Sequence, residues 1–168
     1  MKFIWISGSI NSGKSTIAAE LNKRIRKSVN IECDSLRHFA THENLETIGD
    51  YISTDALDLA KKWIERGYLP IVTWPMYGEG LKKLISYSKE LGIEPVIINL
   101  IPSKETAKQN RGERELTEKE FNRIEYMYEV ENIGNPELGF SIDNSNQTVD
   151  ETVKEVMAHI SEISKSYL

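Results

Sequence analysis

The sequence contains a single cysteine, Cys33, among its 168 residues. One cysteine excludes an intramolecular disulfide and leaves no cysteine cluster for a metal site. No apolar run approaches the roughly 18 residues that a membrane span requires, and the apolar N-terminal run 1–6 is shorter than the core of a secretion signal. We therefore expect a cytoplasmic protein that has no membrane partner.

The chain also lacks an excess of basic residues. It has 21 lysines and arginines against 26 aspartates and glutamates, for a net charge of -5. A protein that binds nucleic acid over a broad surface needs a basic excess to neutralise the phosphates. The composition argues against nucleic acid as a partner and predicts one globular domain, 1–168. It leaves the oligomeric state open.

Short apolar runs alternate with amphipathic segments along the chain. The predicted strands are 3–6, 29–33, 70–73, 96–101 and 140–142. The predicted helices are 14–27, 52–65, 81–91 and two more that begin at the Thr-x-x-Glu capping boxes 117–120 and 148–151. Strands alternating with helices predict an α/β fold of three layers, a five-stranded parallel sheet with helices on both faces. In such sheets ligands bind beyond the carboxyl ends of the strands.

The first predicted strand leads into Gly8-x-x-x-x-Gly13-Lys14-Ser15, which matches the Walker A pattern at every fixed position. The glycines let backbone N–H groups turn toward one anion, and the helix that begins near Lys14 adds its positive end. Lys14 can reach the β- and γ-phosphates, and the Ser15 hydroxyl can ligate Mg²⁺. An ordinary strand–helix turn would not need Lys-Ser after the second glycine.

This motif predicts a P-loop NTPase fold that binds a nucleoside triphosphate. The predicted nucleotide-binding residues are Gly8, Ser9, Asn11, Ser12, Gly13, Lys14, Ser15 and Thr16. The Asp-x-x-Gly and Asn-Lys-x-Asp signatures of GTPases are absent, and the third predicted strand ends in Trp74-Pro75 rather than in the aspartate of motor ATPases. These absences favour a small-molecule kinase.

Candidate acceptor residues follow the second and third predicted strands. Asp34 is placed to take a proton from an acceptor hydroxyl or to help hold Mg²⁺, and it is equally placed to cap a helix that begins at Ser35. Arg37, one turn on, is either a clamp for an anionic acceptor or a solvated surface arginine. Trp74 and Tyr77 either line the acceptor pocket or pack over a turn.

Two polar segments complete the predicted site. The charged segment 109–118 carries Arg111 and Arg114. Arginines that a lid brings onto a transferring phosphoryl group can raise the rate by about 10³-fold or more, although a salt-bridged surface turn would look the same in sequence. The polar loop 144–147 follows the last strand, where it either faces the nucleotide base or is an exposed connection.

Together these residues resemble the small P-loop kinases of the nucleoside-monophosphate-kinase-like group, which includes adenylylsulfate, shikimate and gluconate kinases, chloramphenicol phosphotransferase and the polynucleotide 5′-kinase domain. Asp34-Ser35-Leu36-Arg37-His38 resembles the Asp-Asn-Val-Arg-His segment of adenylylsulfate kinases, and the segment 111–114 is similar to the arginine lid of the group. Ile142-Asp143-Asn144-Ser145 resembles the Ile-Asp-x-Ser that precedes the adenine loop, which implies ATP as the donor.

The resemblance implies an enzyme that moves the γ-phosphate of Mg-ATP to a hydroxyl of a small acceptor. Asp34 would be the catalytic or metal-organising carboxylate, and Arg37 a contact for the acceptor. The chain departs from the group in places, because 112–116 lacks the lysine and aromatic residue of the adenylylsulfate kinase lid and 73–77 lacks the glycine cluster of shikimate kinase. Two alternatives remain: a polynucleotide 5′-hydroxyl kinase and a non-catalytic nucleotide-binding switch.

Overall fold

A computed structural model describes residues 1–40, 43, 45–109 and 115–167, with 45–47 and 166 described by their backbone alone. Its sheet has five strands in the order β2-β3-β1-β4-β5, and every pairing is parallel. The strands are β1 (Lys2–Gly8), β2 (Ser28–Glu32), β3 (Leu69–Thr73), β4 (Glu94–Leu100) and β5 (Phe140–Ile142). The predicted five-stranded parallel sheet is confirmed.

Helices connect the strands and cover both faces of the sheet. They are α1 (Lys14–Arg24), α2 (Cys33–Leu36), α3 (Leu45–Glu65), α4 (Gly78–Glu90), α5 (Lys104–Ala107), α6 (Glu118–Glu129), α7 (Val149–His159) and α8 (Ser161–Ser164). Both predicted capping boxes are formed, at the first turns of α6 and α7. None of the described helices is long and apolar enough to cross a membrane.

The apolar core lies in two layers, one on each face of the sheet. Phe3 and Trp5 of β1 face the layer that contains α3 and α4. Ile4 and Ile6 face the opposite layer, which contains α1 and α7. Because successive side chains of a strand point to opposite faces, a strand covered on both sides must be apolar throughout. This explains the unbroken apolar run of β1 and confirms the three-layer prediction.

Some helix boundaries differ from the predictions. α1 ends at Arg24 rather than at 27, since Ile25 turns to an extended conformation (φ -100°, ψ 106°) while its side chain remains buried. α3 begins at Leu45, seven residues before the predicted start. The four-residue helices α5 and α8 were not predicted, because one turn is too short to show helical periodicity.

Candidate active site

The loop between β1 and α1 lies at the carboxyl end of the central strand. Gly8 has φ +150°, and a Cβ atom there would lie 2.5 Å from Leu100 O and 2.6 Å from Ser12 Oγ. Gly13 has φ +94° and stands as the N-cap of α1, so the first N–H groups of that helix adjoin the loop. These two positions accept glycine and little else, and the N–H groups and helix end form an anion site.

Side chains from the loop itself and from distant parts of the chain hold this loop in shape. Lys14 Nζ donates to Ser9 O at 2.6 Å. Asn144, 3% exposed after β5, donates from Nδ2 to Ser12 O at 2.9 Å. Ser9 Oγ lies 3.3 Å from Tyr128 Oη of α6, which itself donates to a backbone carbonyl. The loop is therefore fixed before any ligand arrives, as electrostatic preorganisation requires.

Replacing Gly8 by alanine should lower the free energy of unfolding by about 3 kcal/mol, because the new methyl group overlaps a backbone oxygen at an unfavourable φ. Urea unfolding measures the change. Gly49→Ala is the matched control, since a Cβ at that helical position meets nothing within 4 Å, and it should stabilise the protein by up to about 1 kcal/mol. Equal effects of the two substitutions would contradict the loop geometry.

The phosphate-binding loop also contacts the segment that leads to the predicted lid. Asn11 Nδ2 donates to Ala107 O at 2.9 Å and to Gln109 O at 2.8 Å. Arg111 and Arg114, the two arginines predicted to act in the lid, lie outside the described residues. The structure thus places the beginning of the 109–118 segment directly beside the loop.

One cleft of about 1760 Å³ extends from this loop between α3, α4 and α6. Lys14 lines it, and so do Asp34, Arg37, Trp74 and Tyr77 from the ends of β2 and β3. These five candidate residues, predicted from separate segments, share one cavity.

The predicted nucleotide-binding residues divide into two groups. Asn11, Gly13, Ser15 and Thr16 line the cleft. The side chains of Ser9 and Ser12 are buried beneath the loop, as are the atoms around Gly8. The Ser12 N–H donates to Ser9 O at 3.3 Å, which closes a turn within the loop.

Asp34 lies in the first turn of α2, which begins at Cys33 rather than at Ser35. The predicted capping role is wrong, because β2 passes directly into the helix and Glu32 occupies the N-cap position, without a side-chain cap. Asp34 Oδ1 instead accepts from Arg37 Nη1 at 3.3 Å. The Asp34 side chain is 69% exposed, so a ligand in the cleft can reach its carboxylate.

The loop that carries Trp74 and Tyr77 is clamped to β1. Ser7 Oγ accepts from Met76 N at 2.9 Å and donates to Met76 O at 3.1 Å. Trp5 Nε1 donates to Trp74 O at 3.0 Å. Ser7 and Trp5 both belong to β1, the central strand, so the same element positions the wall of the cleft and the phosphate-binding loop.

Removing the Ser7 hydroxyl should destabilise the fold by about 1–3 kcal/mol, because the buried Met76 N–H would lose its only described acceptor. Ser88→Ala is the control: that hydroxyl is also fully buried, but it donates to a helical carbonyl and accepts from no described N–H group. Thermal unfolding should show a larger loss of stability for Ser7→Ala than for Ser88→Ala. A loss of stability for Ser7→Ala that is no larger than the loss for Ser88→Ala would contradict the clamp.

A partly buried ionic group at the far wall was not predicted from the sequence. Arg123 of α6 donates from Nη2 to Tyr77 Oη at 2.8 Å, and its Nη1 lies 2.8 Å from Glu131 Oε1. Burial, with the Glu131 carboxylate beside it, raises the pKa of Tyr77 to about 12, so this phenol is neutral at pH 7. No local pattern signals this group, because its members come from the end of β3, from α6 and from the segment after α6.

The polar loop 144–147 fits neither of its two predicted roles in full. Asn144 is buried and holds the phosphate-binding loop, so it is not part of an exposed connection. Gln147 lines the cleft, where Nε2 donates to Glu155 at 2.8 Å and Oε1 accepts from Thr152 Oγ1 at 2.9 Å. Its polar groups already have protein partners.

The oxygen donors of the cleft suit Mg²⁺. The described residues contain no cluster of three or more His, Cys, Asp and Glu side chains that would hold a metal alone. Mg²⁺ is usually bound by one or two protein oxygens together with substrate phosphates and water. The Ser15 hydroxyl and the Asp34 carboxylate both line this cleft and are oxygen donors of the kind that would hold the ion.

Comparison with known proteins identifies the architecture. No family model and no curated protein matches the chain. A sugar kinase from Janibacter superposes with a TM-score of 0.69 at 14% identity, covering 100% of this chain and 99% of that one. The Deinococcus radiodurans tunicamycin resistance protein gives 0.66 at 18% identity (95% and 96% covered). The Mycobacterium tuberculosis APS kinase gives 0.65 at 16% (95% and 97%). The chain therefore has the fold of the small P-loop kinases of the nucleoside-monophosphate-kinase-like group.

Proposed function

We propose that this protein is a kinase that transfers the γ-phosphate of Mg-ATP to a hydroxyl of a small-molecule acceptor. The observation that carries the proposal is that residues of the phosphate-binding loop and Asp34 line the same cleft. The kinase fold supports it. We take 1–168 as one domain with a lid at about 109–118.

The donor half of the site is the loop and the start of α1. The loop that contains Gly8, Ser9, Ser12 and Gly13 would surround the phosphates, and the Lys14 ammonium would leave Ser9 O to reach the β- and γ-phosphates. Asn11 and Thr16 complete this half. Mg²⁺, when bound through Ser15 and Asp34, neutralises phosphate charge.

In the acceptor half, Asp34 would act as the base that accepts the proton of the acceptor hydroxyl or, in its alternative role, as a partner of the metal ion. The acceptor oxygen then forms a bond to the γ-phosphorus while the bond from that phosphorus to the β–γ bridging oxygen breaks, and ADP leaves. Lys14, with Arg111 or Arg114 from the lid, would stabilise the charge of the transferring group. Arg37, Trp74 and Tyr77 would position the acceptor and exclude water.

An acceptor screen tests this proposal. Candidate hydroxyl compounds are added to protein that is saturated with a non-hydrolysable ATP analogue, and thermal shift reports binding. ADP formation with ATP then reports transfer. We expect compounds that raise the melting temperature to be phosphorylated.

Two other outcomes would replace the proposal. Labelling of an oligonucleotide 5′-hydroxyl with a steep salt dependence would indicate a polynucleotide kinase. Tight nucleotide binding without turnover on any acceptor would indicate a nucleotide-binding switch. The composition weighs against the first of these, with its net charge of -5.

A further inference from the structure

The chemistry of the cleft walls narrows the class of acceptor, and this inference rests on the proposed function. Beyond Lys14, the described charged residues that line the cleft are four basic and four acidic. Three of the basic groups are already paired with acidic ones from the same walls, and no described ion pair involves the fourth, Lys119. Lys83 lies 2.5 Å from Asp50 Oδ2, and the Arg37–Asp34 and Arg123–Glu131 pairs are those described above. An anionic acceptor would therefore meet a carboxylate beside each of the three paired cations.

The Arg123 pair is the least able to open. The Glu131 side chain is only 14% exposed, and its Oε2 atom has no hydrogen-bond partner among the described residues. If Arg123 turned toward a ligand anion, it would leave a buried carboxylate without its counter-charge, which is strongly unfavourable. Arg123 thus belongs to the wall of the cleft and is not available as an anion clamp.

The hydroxyl groups of α3 that line the cleft have already used their protons. Ser53 Oγ donates to Asp50 O at 2.8 Å, and Thr54 Oγ1 donates to Tyr51 O at 2.9 Å. Across the cleft on α4, Tyr87 Oη donates to Asp58 Oδ1 at 2.9 Å. A hydroxyl whose proton is engaged offers only lone pairs. In this arrangement these groups accept hydrogen bonds, which suits a ligand that donates them.

Apolar side chains form the rest of this part of the cleft. Leu57 of α3 and Leu84 of α4 line it, together with Trp74 and Met76 from the end of β3. They come from the same elements as the hydroxyl groups, so one ligand can contact both. Apolar walls with a few oriented polar groups are typical of small-molecule sites.

We propose that the acceptor is an uncharged molecule that carries several hydroxyl groups and an apolar face, and that it is not an oxyanion. Its hydroxyls donate to Ser53 and Thr54, its apolar face packs on Trp74 and Met76, and one further hydroxyl receives the phosphate beside Asp34.

Matched pairs of compounds test this. Hexyl β-glucoside and hexyl β-glucuronide differ only in a CH₂OH group replaced by a carboxylate, and uridine and its 5′-monophosphate differ by one phosphate. Isothermal titration into protein saturated with the ATP analogue gives each Kd. In each pair we expect the neutral member to bind at least about tenfold more tightly. Tighter or equal binding of the charged members, or no binding of either neutral member, overturns the proposal.

ADP formation is recorded separately with the same compounds. Binding of the neutral members without transfer supports a neutral ligand and contradicts the kinase function. Transfer to a charged member in preference to its neutral partner supports the kinase function and contradicts the neutral acceptor. The failures of the two proposals are therefore distinguishable.

Two substitutions probe the walls directly. Thr54→Val keeps the side-chain shape and removes the lone pairs, so the Kd of the glucoside should rise about three- to tenfold. Asp50→Asn leaves Lys83 without its carboxylate, and the Kd of the glucuronide should fall about fivefold. Asp55→Asn, on the same helix and outside the cleft, is the control and should change neither value. If both Kd values are unchanged in Thr54→Val and Asp50→Asn, the proposed neutral acceptor site is overturned.

Discussion

Lys14→Ala should reduce kcat/KM for ATP by about 10⁴-fold while leaving the fold intact. The ammonium lies across the phosphate-binding loop, 2.6 Å from Ser9 O. A charged hydrogen bond to phosphate is worth about 1.5–3 kcal/mol, which is about 10–100-fold in affinity. Loss of one preorganised group that stabilises the transition state removes about 10²–10³-fold more in rate. Titration with the ATP analogue measures the loss of affinity, and steady-state ADP formation measures the loss of rate.

Lys23→Ala is the matched control for Lys14→Ala. It removes a lysine from the same helix, where the side chain is 69% exposed and pairs with Glu20. Its affinity for ATP and its turnover should both equal those of the wild type. If Lys14→Ala bound the nucleotide as tightly as Lys23→Ala does, the phosphate site would lie elsewhere.

Asp34→Asn should lower kcat by about 10²–10⁴-fold, the range expected for loss of a general base. The carboxamide has the size of the carboxylate and keeps an oxygen for Arg37, but it takes up no proton. Affinity for ATP without Mg²⁺ should be unchanged, because the donor half of the site is untouched. Glu32→Gln, two residues earlier at the N-cap of α2, should retain full turnover.

The same Asp34→Asn variant separates the two proposed roles of the carboxylate. If Asp34 acts mainly on the metal, ATP affinity should fall in the presence of Mg²⁺ and stay constant in its absence. If it acts as the base, affinity should be constant under both conditions while kcat falls. Full turnover with an identified acceptor would rule out both roles.

The sequence predicted the parts of this structure that depend on local patterns. The strands were predicted because both faces of the sheet are covered, which produces unbroken apolar runs such as 3–6 in β1 and 95–98 in β4. The phosphate-binding loop was predicted because Gly8 and Gly13 occupy conformations that other residues rarely adopt. Each of these signals is contained in fewer than about ten neighbouring residues.

The contacts that shape the site could not be predicted in this way. Asn144 holds the phosphate-binding loop from 132 residues away, and Tyr128 contacts Ser9 across 119 residues. Arg123 and Glu131 look like ordinary surface charges in the sequence, but the fold brings them into an ion pair. Such pairings depend on how distant elements pack, and no periodicity or motif records them.

Transfer of labelled phosphate tests the central proposal most directly. The protein is incubated with Mg²⁺, ATP labelled at the γ-phosphate, and a neutral hydroxyl acceptor identified by binding, and the products are separated. We predict one labelled phosphomonoester of the acceptor for each ADP formed by the wild type, and none with Lys14→Ala. Tight binding of ATP with neither ADP nor labelled acceptor, on any compound that binds the cleft, would contradict the proposal.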